Sequence, residues 1–94
     1  MPVVRIEHAV PAFDAWKAAF DRDPANRKAS GVRRYQVLRA SLDPNFVMID
    51  LEFDTMDEAQ AFLLKMQGIW NGPGKSVMLG PQARIVEVVE RADL

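Results

Sequence analysis

The sequence predicts an α+β fold: one four-stranded antiparallel sheet carrying two helices on a single face, in the order β-α-β-β-α-β. Three observations carry that prediction. Apolar side chains alternate along FVMIDLEF, residues 46–53, the mark of a strand with two unlike faces. They recur at i, i+3 and i+7 through Phe13, Trp16 and Phe20, one stripe of an amphipathic helix. Thr55-Met56-Asp57-Glu58 is a capping box, in which threonine hydroxyl and glutamate carboxylate satisfy free N–H groups at a helix start.

The elements follow in order. VVRIEH, residues 3–8, forms the first strand. Pro11 suits a first helical turn, where its missing N–H costs nothing, and the Phe13–Trp16–Phe20 stripe continues the helix until Asp23-Pro24 ends it. Gly31 introduces VRRYQVLRA as strand two, and Leu42-Asp43-Pro44-Asn45 reads as the tight turn to strand three. After the capping box, Ala59, Phe62, Leu63, Met66 and Ile69 or Trp70 make the buried stripe of helix two, which Asn71-Gly72-Pro73 stops. A glycine-rich loop leads to ARIVEVVE, residues 83–90, as strand four. Right-handed crossovers then give a ferredoxin-like sheet, a single domain over 1–94.

Composition narrows function by exclusion. With no cysteine and one histidine there is no disulfide framework, thiolate nucleophile or zinc knuckle, and no metal site is expected. MPVVRIEH lacks the charged-then-apolar form of a signal peptide, and no apolar run nears membrane-spanning length; a cytoplasmic protein without a membrane partner is the expectation. Net charge is −1, but Pro24–Leu42 holds five bases and no acid, which leaves −6 on the remainder. That run reads either as a solvated edge strand protected by charge or as a patch for an anionic ligand or acidic partner.

Strand parity raises the functional question. Val47, Ile49, Leu51 and Phe53 should face the helices, leaving Phe46, Met48, Asp50 and Glu52 on the far face. Arg5 and Glu7 join that face by the same parity, as do Arg34, Gln36 and Leu38 if Tyr35 and Val37 turn inward. On strand four, Val86 and Val88 are placed toward the helices and Ile85, Glu87 and Val89 away from them. The far face is too apolar to be left to water and too charged for a dry core. Two such sheets packed face to face in a homodimer meet both conditions, with Arg5, Glu7, Arg34, Phe46 and Met48 as interface candidates. Asp50 and Glu52 then either pair with arginines or line a pocket.

His8 has the one side chain whose ordinary pKa lies near neutrality, so it is the candidate catalytic base; its structural reading is a strand-end histidine bonded to backbone. Ligand-pocket candidates are His8, Tyr35, Asp50, Glu52 and Trp70, the tryptophan as a wall or lid beside the loop. NGPGKSVMLGP is no phosphate loop: Gly74-Lys75-Ser76 would need glycine at 69, where Ile69 stands, and the loop follows a helix. Nucleic acid is not expected as a partner, because the two central strands place acids where RNA-binding sheets place aromatics.

The sequence resembles the dimeric α+β barrel superfamily, which includes antibiotic-biosynthesis monooxygenases and stress-responsive A/B barrel proteins. The likeness rests on the element order, on His8 before Pro11-Ala-Phe-Asp-Ala-Trp16-Lys, on Gly31-Val-Arg-Arg-Tyr35, and on Phe53-Asp-Thr-Met-Asp-Glu58-Ala-Gln-Ala-Phe62-Leu. It implies a homodimer with a small hydrophobic pocket between sheet and helices or within the barrel. It also implies no metal or organic cofactor, the monooxygenases of that family oxidising electron-rich aromatics whose anion reacts with oxygen. Trp70 matches the family's pocket tryptophan; its asparagine has no counterpart on strand one, the slot lying nearest His8. The second helix lacks the histidine of the haem-degrading branch. The resulting expectation is a homodimer that binds a small aromatic or polyketide-like molecule, with cofactor-independent monooxygenase or cyclase chemistry as its candidate activity. The alternative is a non-catalytic ligand-binding or stress-related barrel.

Overall fold

Period-two alternation decides which side of each strand meets the helices, and the computed structural model, which describes residues 1–72 and 79–94, shows the outcome. Its elements are β1 (Pro2–Ala9), α1 (Phe13–Asp21), β2 (Arg34–Ala40), β3 (Asp43–Glu52), α2 (Met56–Trp70) and β4 (Leu79–Glu87). The strands lie in the order β2-β3-β1-β4 and every neighbouring pair is antiparallel. This is the predicted ferredoxin-like topology. Among the described residues no helix is long and apolar enough to cross a membrane.

Val4 and Ile6 of β1 and Val47, Ile49, Leu51 and Phe53 in and beside β3 are buried in one core with Trp16 of α1 and Ala59 and Phe62 of α2. The side chains between them on those strands face the other way. The Thr55 cap forms, its Oγ1 accepting the Glu58 N–H at 3.2 Å and donating to Glu58 Oε1 at 3.2 Å. Gly31, at φ +98°, lies against that glutamate so closely that a Cβ there would fall 2.5 Å from Glu58 Oε2. Glycine is therefore required twice over, for backbone angle and for space.

Several boundaries differ from the sequence reading: β2 starts at Arg34 rather than Val32, and β3 spans Asp43–Glu52 rather than 46–53. Helix α1 starts at Phe13, and Pro11 stands outside it, because Ala12 is still extended and provides no side-chain cap. The β2–β3 turn is Ser41-Leu42, since Ala40 pairs with Asp43. Beyond it the register slips, a step of one residue on β2 answering four on β3; Pro44, with no N–H for the ladder, lies in that irregularity.

Strand β4 runs from Leu79 to Glu87 rather than over 83–90, and its faces are reversed. Ile85 pairs with Val4 and packs on the core, whereas Val86 pairs with Val3 on the far face. Val89 lies past the strand end and is exposed. A bulge opposite His8, where two residues of β1 span three of β4, puts Leu79 out of phase with the rest of the strand. Gly80 there adopts φ +59°, a conformation open to glycine at little strain.

Candidate functional site

The aromatic stripe of α1 does more than fill the core. Trp16 and Phe20, four residues apart, stack with ring centroids 5.2 Å apart. Opposite them Phe62, Met66 and Ile69 of α2 form a second wall, and Ile6, Ile49 and Leu51 of the sheet form a floor. Between these surfaces lies a cavity of about 160 Å³. Arg22 and Arg27 are the charged side chains at its edge.

The turn after α1 closes one end. Asp23 and Asn26 both take positive φ, at 56° and 53°, which these two residue types tolerate better than most. Asp23 Oδ1 accepts the Arg27 N–H at 2.9 Å. The Arg27 guanidinium lies 4.0 Å from the Phe20 ring centroid and 4.8 Å from that of Tyr35, and donates to the Phe20 carbonyl at 2.8 Å. Lys65 reaches across from α2, donating to the Ala25 carbonyl at 3.1 Å and to Ser30 Oγ at 2.6 Å. The buried Ala25 is thereby fixed against both helices.

Size sets what could enter. Sites for drug-sized ligands usually span about 300–1,000 Å³, whereas an apolar cavity of about 150 Å³ takes up benzene. One aromatic ring fits; a fused polycycle does not without movement of the walls.

None of the five residues singled out as pocket candidates lines this cavity; Tyr35, Asp50 and Glu52 border a separate hollow of about 290 Å³ with Arg5 and Arg34. Tyr35 is on the helix side, but it is half exposed and meets the edge of Phe20 at 5.4 Å. Trp70 is half-buried against the core, and its buried Nε1 has no hydrogen-bond partner among the described residues. Residues 73–78, most of the loop considered as a lid, lie outside the described residues. The residues that do line the cavity are Trp16, Phe62 and Met66, whose spacing marks them as core, and Arg27, one base in a run of five. The one sequence signal was Arg22 and Arg27 flanking Pro24-Ala25 straight after an aromatic stripe.

Asp50 and Glu52 lie on the far, open face of the sheet. Arg5 sits directly across from Asp50 in the register and binds it by two hydrogen bonds, Nε to Oδ1 at 2.7 Å and Nη2 to Oδ2 at 2.9 Å. Gln36, on the other flank, donates to Oδ2 at 3.0 Å. The Arg5 hydrogen bonds, helped by that of Gln36, hold the Asp50 carboxyl below the usual carboxylate range although burial opposes them. Arg34 and Glu52 approach to 3.3 Å in the next row. Arg5, Glu7, Arg34, Phe46 and Met48 all belong to this face by the pairing register. Among the described residues no three acidic or histidine side chains converge as a metal site.

His8 is buried on the helix side, 1% exposed, with its ring edge-on to Trp16 at 5.6 Å. Its Nδ1 lies 3.0 Å from the Ala9 carbonyl, an acceptor, so Nδ1 carries the proton and Nε2 presents a lone pair. That Nε2 is buried and has no partner among the described residues. Burial lowers the imidazole pKa against the smaller opposing effect of the Ala9 hydrogen bond. The unfolded chain therefore takes up a proton near pH 6.5 before the folded one does, and stability declines as pH falls below that point. The slope is at most about 1.4 kcal/mol per pH unit, and it ends once the folded imidazole also titrates. The Asp50 contribution is lost only below about pH 4, so the two windows separate. Urea unfolding at pH 7.5 and 5.5 should show the decline in the native chain and a smaller one in His8→Leu; equal declines would remove His8 as its source.

No family model matches the sequence, and no curated protein matches it. Solved structures do resemble the fold. A dimeric ferredoxin-like protein from an uncultured marine organism superposes with a TM-score of 0.73 at 10% identity, over 97% of either chain. A structure described as an antibiotic biosynthesis monooxygenase gives 0.70 at 10% identity, covering 96% of this chain and 100% of its own. A protein from Mycobacterium tuberculosis gives 0.67 at 14% identity, over 99% and 100%. At these identities the likeness is one of fold.

Proposed function

We propose that this chain is a homodimer joined through the open face of its sheet, each subunit holding one small aromatic molecule between helices and sheet for cofactor-independent oxidation by dioxygen. The observation that carries the reading is the cavity: apolar, walled by Trp16, Phe20 and Phe62, and large enough for one ring. Such walls accept both an aromatic and dioxygen, which is itself apolar. An electron-rich phenol needs to lose its proton before it gives electrons to oxygen. The cationic edge formed by Arg22 and Arg27 favours that anion. His8 packs against Trp16 outside the lining, so in this reading the phenolic proton leaves to solvent at the cationic edge. The fold neighbour described as an antibiotic biosynthesis monooxygenase supports the same chemistry.

A second reading, binding without catalysis, draws on one observation. Among the described residues the cavity lining includes no carboxylate, histidine or lysine, so no proton acceptor touches the space directly.

Oxygen uptake with a panel of single-ring phenols tests the first reading. Uptake is expected in the native chain and absent in Ala19→Phe, which projects a ring into the cavity from α1. Binding without uptake favours the second reading. Neither binding nor uptake removes both.

A further inference from the structure

The charged residues that line the cavity are both cationic. Arg22 and Arg27 stand at its edge, and Lys65 Nζ is bonded to the carbonyl of Ala25, another lining residue. The two carboxylates nearby in sequence are committed elsewhere. Asp23 accepts the Arg27 N–H and lies 3.4 Å from its guanidinium, and Asp21 is held by Lys17 at 2.7 and 2.8 Å. Helix carbonyls that would repel an anion at the end of α1 are already bonded, Ala18 by the Arg22 N–H and Phe20 by Arg27. Arg27 is itself packed on two rings and capping the helix, so it supplies field rather than a free hydrogen-bonding fork. Arg22 is different: it is exposed and forms no ion pair among the described residues.

We infer that the cavity selects a one-ring aromatic acid, with the ring between Trp16, Phe62 and Ile69 and the carboxylate at the edge, paired with Arg22. The inference rests on the cavity reading and adds the ligand's charge and the group that recognises it. Apolar walls alone would take up neutral and charged rings in the order of their hydrophobicity, with an anion last. A guanidinium at the edge reverses that order, because it binds a carboxylate through two parallel N–H groups while the ring remains in the apolar space. The four arginines of the five-base run thus divide. Arg33 and Arg34 approach Asp54 and Glu52, Arg39 lies over Phe13, and Arg27 alone of the paired or stacked arginines borders the cavity.

Calorimetric titration of the full chain with benzoate, benzyl alcohol and benzylamine at pH 7.5 tests this, since the three share a ring and differ in charge. Benzoate is expected to bind about tenfold tighter than benzyl alcohol, the scale of one charge-assisted hydrogen-bonded pair, and benzylamine weakest. Raising ionic strength should erode the benzoate preference. In R22Q the ratio of benzoate to benzyl alcohol affinity should fall to about threefold or less, the remaining field being that of Arg27 and Lys65. Benzyl alcohol binding as tightly as benzoate would overturn the inference while leaving the cavity reading intact. A preference unchanged in R22Q would overturn the assignment to Arg22. If none of the three binds, the cavity reading falls and the inference with it.

Discussion

Phe62→Ala is expected to lose about 3–5 kcal/mol of folding stability, the range for truncating a buried aromatic. That is a large part of the roughly 5–15 kcal/mol that holds a domain together. Phe62 is 2% exposed, its ring lies 5.3 Å from that of Phe53, and it also forms part of the cavity wall. The last point sets this site apart from other core positions. Removing the ring opens a void continuous with an existing one of about 160 Å³, so the neighbours cannot relax into it from all sides and the upper part of the range applies. The enlarged space should also bind toluene better than the native one, and added toluene should restore part of the lost stability by mass action. Urea denaturation with and without toluene measures both effects. Leu64→Ala, two residues away on the exposed side of α2, is the control and should change stability by about 0.5 kcal/mol or less. A Phe62→Ala loss no larger than the Leu64→Ala loss would show that α2 does not anchor this core.

Where the sequence was informative, several constraints pointed the same way. Val47, Ile49, Leu51 and Phe53 are four successive apolar residues on one face, and no other phase of β3 buries them. Thr55 and Glu58 identify a helix start by hydrogen bonds that any context would reward. Strand β4 carries no such constraint. Ile85-Val86 and Val88-Val89 put apolar groups on both faces, so either phase satisfies alternation, and what decides between them, the pairing of Ile85 with Val4, depends on the partner strand. The Arg5–Asp50 pair needed the β1–β3 register, which alternation alone does not give. The cavity was further out of reach. Its walls come from two helices, a turn and the sheet, each residue reads singly as core, and an unfilled volume is a property of their assembly.

Met48→Lys separates two states of the open face more sharply than any other single change. Met48 is half-buried on β3 and pairs across the ladder with Glu7 on one side and Leu38 on the other. In an isolated subunit a lysine here would reach water and gain Glu7 as a neighbour, so stability would shift by about 0.5 kcal/mol or less. In a homodimer joined through this face, two-fold symmetry takes the new lysine and Glu7 out of water in both subunits, and that desolvation costs several kcal/mol per ion, which their attraction offsets only in part. The native face avoids that cost. Its central carboxylate, Asp50, is already bonded by Arg5 and Gln36 within its own subunit, and Val3, Leu38, Phe46 and Val86 surround the pair with apolar area. The expected result by light scattering is a native dimer and a Met48→Lys monomer at the same micromolar concentration, with matching far-UV circular dichroism. A native chain that is monomeric, or a variant that stays dimeric, would show that another surface covers the sheet or that water does.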